Sequence, residues 1–289
     1  MTRESAPATH AAQPTNAAQR EYWNAAAGQT WAQFQESLDR QIAPLGWEAQ
    51  RVLAPADGEQ VLDIGCGCGQ TTVELAARVG TRGHVVGVDI SRPMLEVARR
   101  RPLPPGVRRP EFHEIDAESG PLERGVFDAA FSRFGVMFFG DPTAAFRNIR
   151  ASLKASGRLA FVSWRPLQEN AWMRAPFEAV APLLPPLPPA DPLTPGPFAL
   201  ADAGRVRRIL LDAGYRDVRV EPFDCRIGGG DVEATVRLAF RVGPLGAALR
   251  ENPELLPVVT DAVRAVIAGW DTPQGVLMPA AAWIVHASG

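Results

Sequence analysis

The chain has 289 residues, 46% of them hydrophobic and 21% charged, ordinary proportions for a globular protein with room for one large α/β domain or two small ones. A net charge of −2 excludes the electrostatic footprint of a nucleic-acid or anionic-membrane binder, and no stretch approaches the ~18 apolar residues of a membrane span. Three cysteines, Cys66, Cys68 and Cys225, are too few for a disulfide framework, and no charged segment followed by an apolar run marks a secretory signal. A reducing, cytoplasmic setting is expected.

Residues 1–20 carry almost no large apolar side chain and are expected to be a disordered tail, leaving 21–289 as a single domain. Tyr22, Trp23, Trp31, Phe34, Leu38, Ile42, Leu45 and Trp47 then recur at three- and four-residue steps, which predicts two amphipathic helices. Strands follow at 60–64, 84–90, 111–115, 126–132 and 157–164, alternating with helices at 71–79, 91–101 (Ser91 as N-cap, Pro93 just inside) and 142–153. This alternation means βαβ units and a parallel sheet.

The rhythm breaks at 165. Eight prolines between Pro182 and Pro197 exclude helix or sheet interior, and Leu183, Leu184, Leu187, Leu193 and Phe198 predict an ordered surface excursion. A helix at 203–213, a strand at 218–227, helical segments at 232–240 and 253–267, and a closing strand at 275–287 complete the reading.

The chemistry is concentrated where strands end. Gly65, Gly67 and Gly69 lie between a strand and a helix, where glycine lets the backbone turn and lets a ligand approach the positive helix terminus. A dinucleotide loop, G-x-G-x-x-G, would need glycine at Gln70. Asp63 before the loop suits a ligand bearing an ammonium and would repel a pyrophosphate, which favours S-adenosylmethionine over a nicotinamide cofactor. Asp89, ending the next strand, is placed to accept both hydroxyls of a ribose, and Asp116-Ala117, ending the third, to accept from an adenine amino group. Ile90 and Met94 offer apolar faces to the ring.

On these residues the stretch 59–164 resembles a class I S-adenosylmethionine-dependent methyltransferase, of the broad group that includes the ubiquinone/menaquinone C-methyltransferases. Residues 61–69, 85–90, Asp116-Ala117 and 126–132 match four of its motifs, and 153–159 resembles its leucine-lysine-proline-glycine-glycine turn, with Ala155 and Ser156 as departures. The resemblance implies a Rossmann-like, doubly wound α/β sheet of seven strands ordered 3-2-1-4-5-7-6, the last antiparallel. It implies a cofactor half over 48–164, and insertions 165–201 and 228–274 that form, with the N-terminal helices, a lid over the methyl acceptor. It also implies cofactor contacts from Asp63, Gly65, Cys66, Gly67, Gly69, Gln70, Thr71, Asp89, Ile90, Met94, Asp116, Ala117 and Ser132. The acceptor would be a small molecule, not nucleic acid, handled by a monomer or homodimer. A nicotinamide-dependent enzyme of similar fold and a non-catalytic cofactor-binding protein remain the alternatives.

Acceptor contacts are expected from Trp31, Arg133, Phe134, Trp164 and Trp172, with Asn170 and Met173 as further wall candidates. Arg133 is the choice for an anionic or carbonyl group. Phe138 and Phe139 read as core. Cys66 and Cys68 lack the partner ligands of a zinc site and read as small loop side chains, so no metal is expected. His113 is the most tempting general base of four histidines, but its mid-strand position points to packing. His84 and His286 read as strand residues and His10 as tail. No catalytic residue is identifiable, because in-line positioning can carry much of a methyl transfer.

Overall fold

A computed structural model describes residues 16–185 and 193–289. Three helices open the described chain, α1 (Ala17–Asn24), α2 (Ala26–Gln33) and α3 (Gln35–Leu53), one more than the periodicity suggests. The breaks at Ala25 and Phe34 are single non-helical residues, too short to interrupt the apolar spacing. Most of the tail expected to be disordered, residues 1–15, lies outside the described residues, but Ala17–Arg20 of it are helical.

The strands are β1 (Gln60–Ile64), β2 (His84–Asp89), β3 (Glu111–Glu114), β4 (Phe127–Arg133), β5 (Leu153–Trp164), β6 (Arg216–Gly228) and β7 (Leu277–Ser288). They form one sheet in the order β3-β2-β1-β4-β5-β7-β6, with β7 antiparallel to both neighbours and the inner strands parallel. β5 starts four residues before the expected position, because Leu153 pairs with Phe127 ahead of a bulge. The helices between them are α4 (Gln70–Val79), α5 (Arg92–Arg100), α6 (Pro142–Ser152), α7 (Ala171–Glu178), α8 (Ala203–Asp212), α9 (Val232–Ala239), α10 (Gly243–Glu251) and α11 (Leu256–Ala268). Helix α10 escapes sequence reading: Gly243, Pro244 and Gly246 weaken its signal, and packing of Leu245, Ala248 and Leu249 decides it.

Two apolar clusters organise the molecule. The larger surrounds β1, β4 and β5, whose side chains are buried on both faces as covered parallel strands require. The smaller, built on Val180, Val236, Leu245, Leu249, Val259, Val263 and Ile267, joins α7, α9, α10 and α11. Trp172 packs against both clusters. Helix α3 lies across β4, β5, β6 and β7. Of the proline-rich excursion, Leu184 is buried, Phe198 packs on the larger cluster, Leu183 and Leu193 are exposed, and Leu187 lies outside the described residues.

Candidate functional site

In the strand order the direction reverses between β1 and β4, and in open α/β sheets ligands bind beyond the strand C-termini at such a point. A cavity of about 490 Å³ opens there. Its wall takes the strand ends Ile64, Asp89, Ile115 and Arg133 together with residues of α10 and residues that follow β5.

Gly65 turns the chain out of β1 at φ +64°, where a Cβ would lie 2.7 Å from Gly135 Cα. The two segments leaving β1 and β4 therefore touch backbone to backbone. The carboxylate of Asp89 is half-buried, and its partial desolvation raises its pKa. Its Oδ2 accepts from Gly67 N (2.8 Å) and its Oδ1 from Ser91 N (2.8 Å). An ionised carboxylate offers about four lone-pair sites, so Asp89 retains acceptor capacity toward the cavity. Asp116 Oδ1 accepts from Glu118 N (3.0 Å) and from Asn16 Nδ2 (2.8 Å), while Ile90, Met94 and Ala117 supply apolar wall beside it.

Asp63 is not on the cavity wall. Fully buried beneath the loop, it accepts through Oδ2 from the hydroxyls of Thr71 (2.8 Å) and Thr72 (2.6 Å), fastening the first turn of α4 to the end of β1. Burial lifts its carboxyl to about 6. Its Oδ1 is buried without a partner among the described residues, an acceptor the site leaves open.

Arg133 does face the cavity, but it is committed. Its guanidinium donates to Gln70 Oε1 (2.6 Å) and Asp39 Oδ1 (2.9 Å), and Asp39 Oδ2 accepts from Arg101 (2.6 Å). Arg101 also donates to Cys68 O (2.8 Å), so α3, the glycine loop and the end of α5 are tied through one carboxylate. Arg133, expected as the contact for an anionic or carbonyl group, is thus already paired with Asp39, a carboxylate it shares with Arg101. Asp39 went unnoticed because its helix gave no reason to single out one acid.

The other expected residues divide. Trp31, Phe134, Trp164 and Trp172 line the cavity with Met173. Phe134 holds φ +64°, uncommon for an aromatic residue, and stacks on Trp164 at 4.1 Å and 13°. Phe138 and Phe139, read as core, also face the cavity. Asn170 is a fastener instead: its amide is buried, donates to Arg165 O, Pro166 O and Ala281 O, and accepts from Ala281 N. Cys66, Gly67, Gly69, Gln70, Thr71 and Ser132 shape the loops behind the wall without lining it; Ser132 Oγ accepts from Gly135 N (3.2 Å). Burial pushes the Cys68 thiol up to about 12 and the Cys66 thiol well above its ordinary value.

His113 sits on the exposed edge strand with Nε2 3.0 Å from Glu111, far from any role in the cavity, and His84 meets the same carboxylate at 3.2 Å. Ser91 takes the expected place before α5, but its hydroxyl donates to Trp23 O (2.7 Å) rather than capping the helix. Asn24 bridges the same junction, donating to Ile90 O and accepting from Arg92 N. Thus α1 and α2 are pinned over Asp89–Arg92, with Trp23 edge-on to Trp31 and Phe138. The hydrogen bonds among these contacts join residues 66 to 68 positions apart and leave no local pattern.

The sequence profile of the family described as a methyltransferase domain matches residues 61–157. Among curated relatives, an aklanonic acid methyltransferase of Streptomyces sp. (strain C5) is 34% identical over 122 residues, covering 42% of this chain and 56% of its own length. A demethylmenaquinone methyltransferase of Clavibacter sepedonicus is 38% identical over 109 residues, covering 38% of this chain and 42% of its own. The chain thus spans about half the length of the curated relatives it matches. Among solved structures, the YcgJ protein of a Bacillus aligns over 85% of this chain and 97% of its own with TM-score 0.55 and 18% identity. A phosphoethanolamine N-methyltransferase of Haemonchus contortus, in complex with S-adenosyl-L-methionine, aligns over 93% and 59% with TM-score 0.55 and 16% identity. At such identities the two structures speak for the fold.

Proposed function

We propose that this chain is a class I S-adenosylmethionine-dependent methyltransferase that moves the methyl group of that cofactor to a small organic acceptor held under its helical cover. The observation that carries the reading is the pair of acids Asp89 and Asp116 at two successive strand ends, with Ile90 and Met94 between them, on the wall of an aromatic cavity. Asp89 would accept the ribose hydroxyls and Asp116 the adenine amino group, while Asp63 beneath the loop holds the first turn of α4 to β1 through Thr71 and Thr72. The bound cofactor supplies a methyl group already activated by a sulfonium. The chain's own residues then have to orient and keep dry: Gly65 and Gly135 bring the loops close enough to grip, and Trp23, Trp31, Phe134 and Trp164 exclude water. The two relatives named for aklanonic acid and demethylmenaquinone support a small-molecule acceptor. We place the enzyme in the cytoplasm, as a monomer or homodimer that does not handle nucleic acid.

Calorimetric titration with S-adenosylmethionine and with NAD tests the cofactor, and labelled cofactor with a metabolite panel tests turnover. Binding of the first and label on a small product are expected. NAD binding without a response to S-adenosylmethionine would overturn the reading in favour of a nicotinamide enzyme. Cofactor binding with no product on any acceptor would favour a binding protein.

A further inference from the structure

Helix α1 is tied at both ends to the segments that carry the two proposed nucleoside acids. Asn24, its last residue, donates to Ile90 O (2.8 Å) and accepts from Arg92 N (2.9 Å), just past Asp89. Asn16, its N-cap, donates through Nδ2 to Asp116 Oδ1 (2.8 Å). Asparagine is favoured at an N-cap because its side chain can accept from the first helical N–H groups, yet Asn16 makes no such bond. Its Oδ1 is buried without a partner among the described residues, so its side chain is committed to Asp116 alone.

Asp116 Oδ1 also accepts from Glu118 N (3.0 Å), the local turn an aspartate makes with the backbone two residues on. That bond alone leaves the carboxylate free to rock. Asn16 comes from outside the turn, 100 positions away in the chain, and takes the same oxygen, so two donors on Oδ1 fix the carboxylate's orientation. Among the described residues nothing donates to Oδ2, and Asp116 and Asn16 are both part of the cavity wall. An ionised carboxylate only accepts, so the open Oδ2 calls for a ligand donor.

Resting on the methyltransferase reading, we propose that Asn16 is a positioning residue for the cofactor's base, holding Asp116 so that Oδ2 meets the adenine amino group and the site prefers a 6-amino purine to a 6-oxo one. An amino group at that place donates to Oδ2, whereas a keto oxygen sets acceptor against acceptor. Selectivity for the base is thereby shared between the chain after β3 and a helix that precedes the sheet. Asn24 holds the other end of α1 and touches neither oxygen of Asp116, so it separates holding the helix from aiming the acid.

The test titrates the full chain with S-adenosylhomocysteine and, by displacement, with S-inosylhomocysteine, using calorimetry on the unaltered protein, Asn16→Ala and Asn24→Ala. The unaltered protein is expected to bind the adenosyl form about tenfold or more tightly than the inosyl form. In Asn16→Ala the adenosyl form should weaken about fivefold while the inosyl form stays within about twofold, so the preference collapses. In Asn24→Ala both forms should weaken alike and the preference should stand. No preference in the unaltered protein, a preference kept in Asn16→Ala, an equal loss of both forms there, or a preference lost as far in Asn24→Ala would each overturn the proposal. An unaltered protein that binds neither form would instead sink the methyltransferase reading, and the proposal with it.

Discussion

At the scale of single residues, Asp89 does two jobs with one carboxylate. It closes the glycine loop through Gly67 N and starts α5 through Ser91 N, while facing the cavity. Asp89→Ala should weaken S-adenosylmethionine binding by about 1–3 kcal/mol, since charge-assisted bonds to the ribose are lost, and calorimetry reads this directly. Asp63 makes a pH-dependent prediction. Its folded value of about 6 lies above that of the unfolded chain, so the stability it contributes as a neutral acid is complete at low pH and is lost as pH rises through about 6. Chemical denaturation from about pH 4 to about pH 7 checks this; a stability that does not fall over that range would show that burial does not hold Asp63 neutral.

At the scale of elements, the N-terminal helices and the glycine loop form one unit through a few long-range contacts. A Cβ on Gly28 would lie 1.9 Å from Trp23 O and 2.6 Å from Ser91 Oγ, so α2 can approach α1 and the start of α5 only with glycine there. Gly28→Ala should push α2 away, raise the dissociation constant for cofactor and increase protease sensitivity before residue 34, with the sheet still folded. Asp39→Ala should cost about 3 kcal/mol of stability, because it strands Arg101 and Arg133 together in a mostly buried place; chemical denaturation measures it. Helices and strands here were mostly legible from spacing: β1 begins and ends at Gln60 and Ile64 as expected, since an apolar run between polar and glycine neighbours marks both ends. Their partners across the fold were not. Asn16 on Asp116, Asn24 on Ile90 and Asp39 on Arg133 are ordinary polar residues until the chain brings them together.

At the scale of the whole molecule, the cavity lies between the sheet and the helical cover, so a ligand filling it should stabilise both. S-adenosylmethionine at a hundredfold excess over its dissociation constant should add about 2.7 kcal/mol to unfolding, read as a rise in Tm. A rise confined to one of two unfolding transitions would mean that the α7–α11 cluster unfolds apart from the sheet.

The chain order of apolar runs and glycines was enough to establish βαβ units, a parallel sheet and a ligand loop after its first strand, because these follow from local periodicity and from which residues tolerate a tight turn; the strand order was implied only by the family resemblance. Only the tertiary structure decided which acids face the cavity and which lie beneath it, that Arg133 is already paired, and that Asn170 fastens the turn after β5. Charge pairing depends on residues 60 to 100 positions apart, and one sequence carries no mark of who will meet whom.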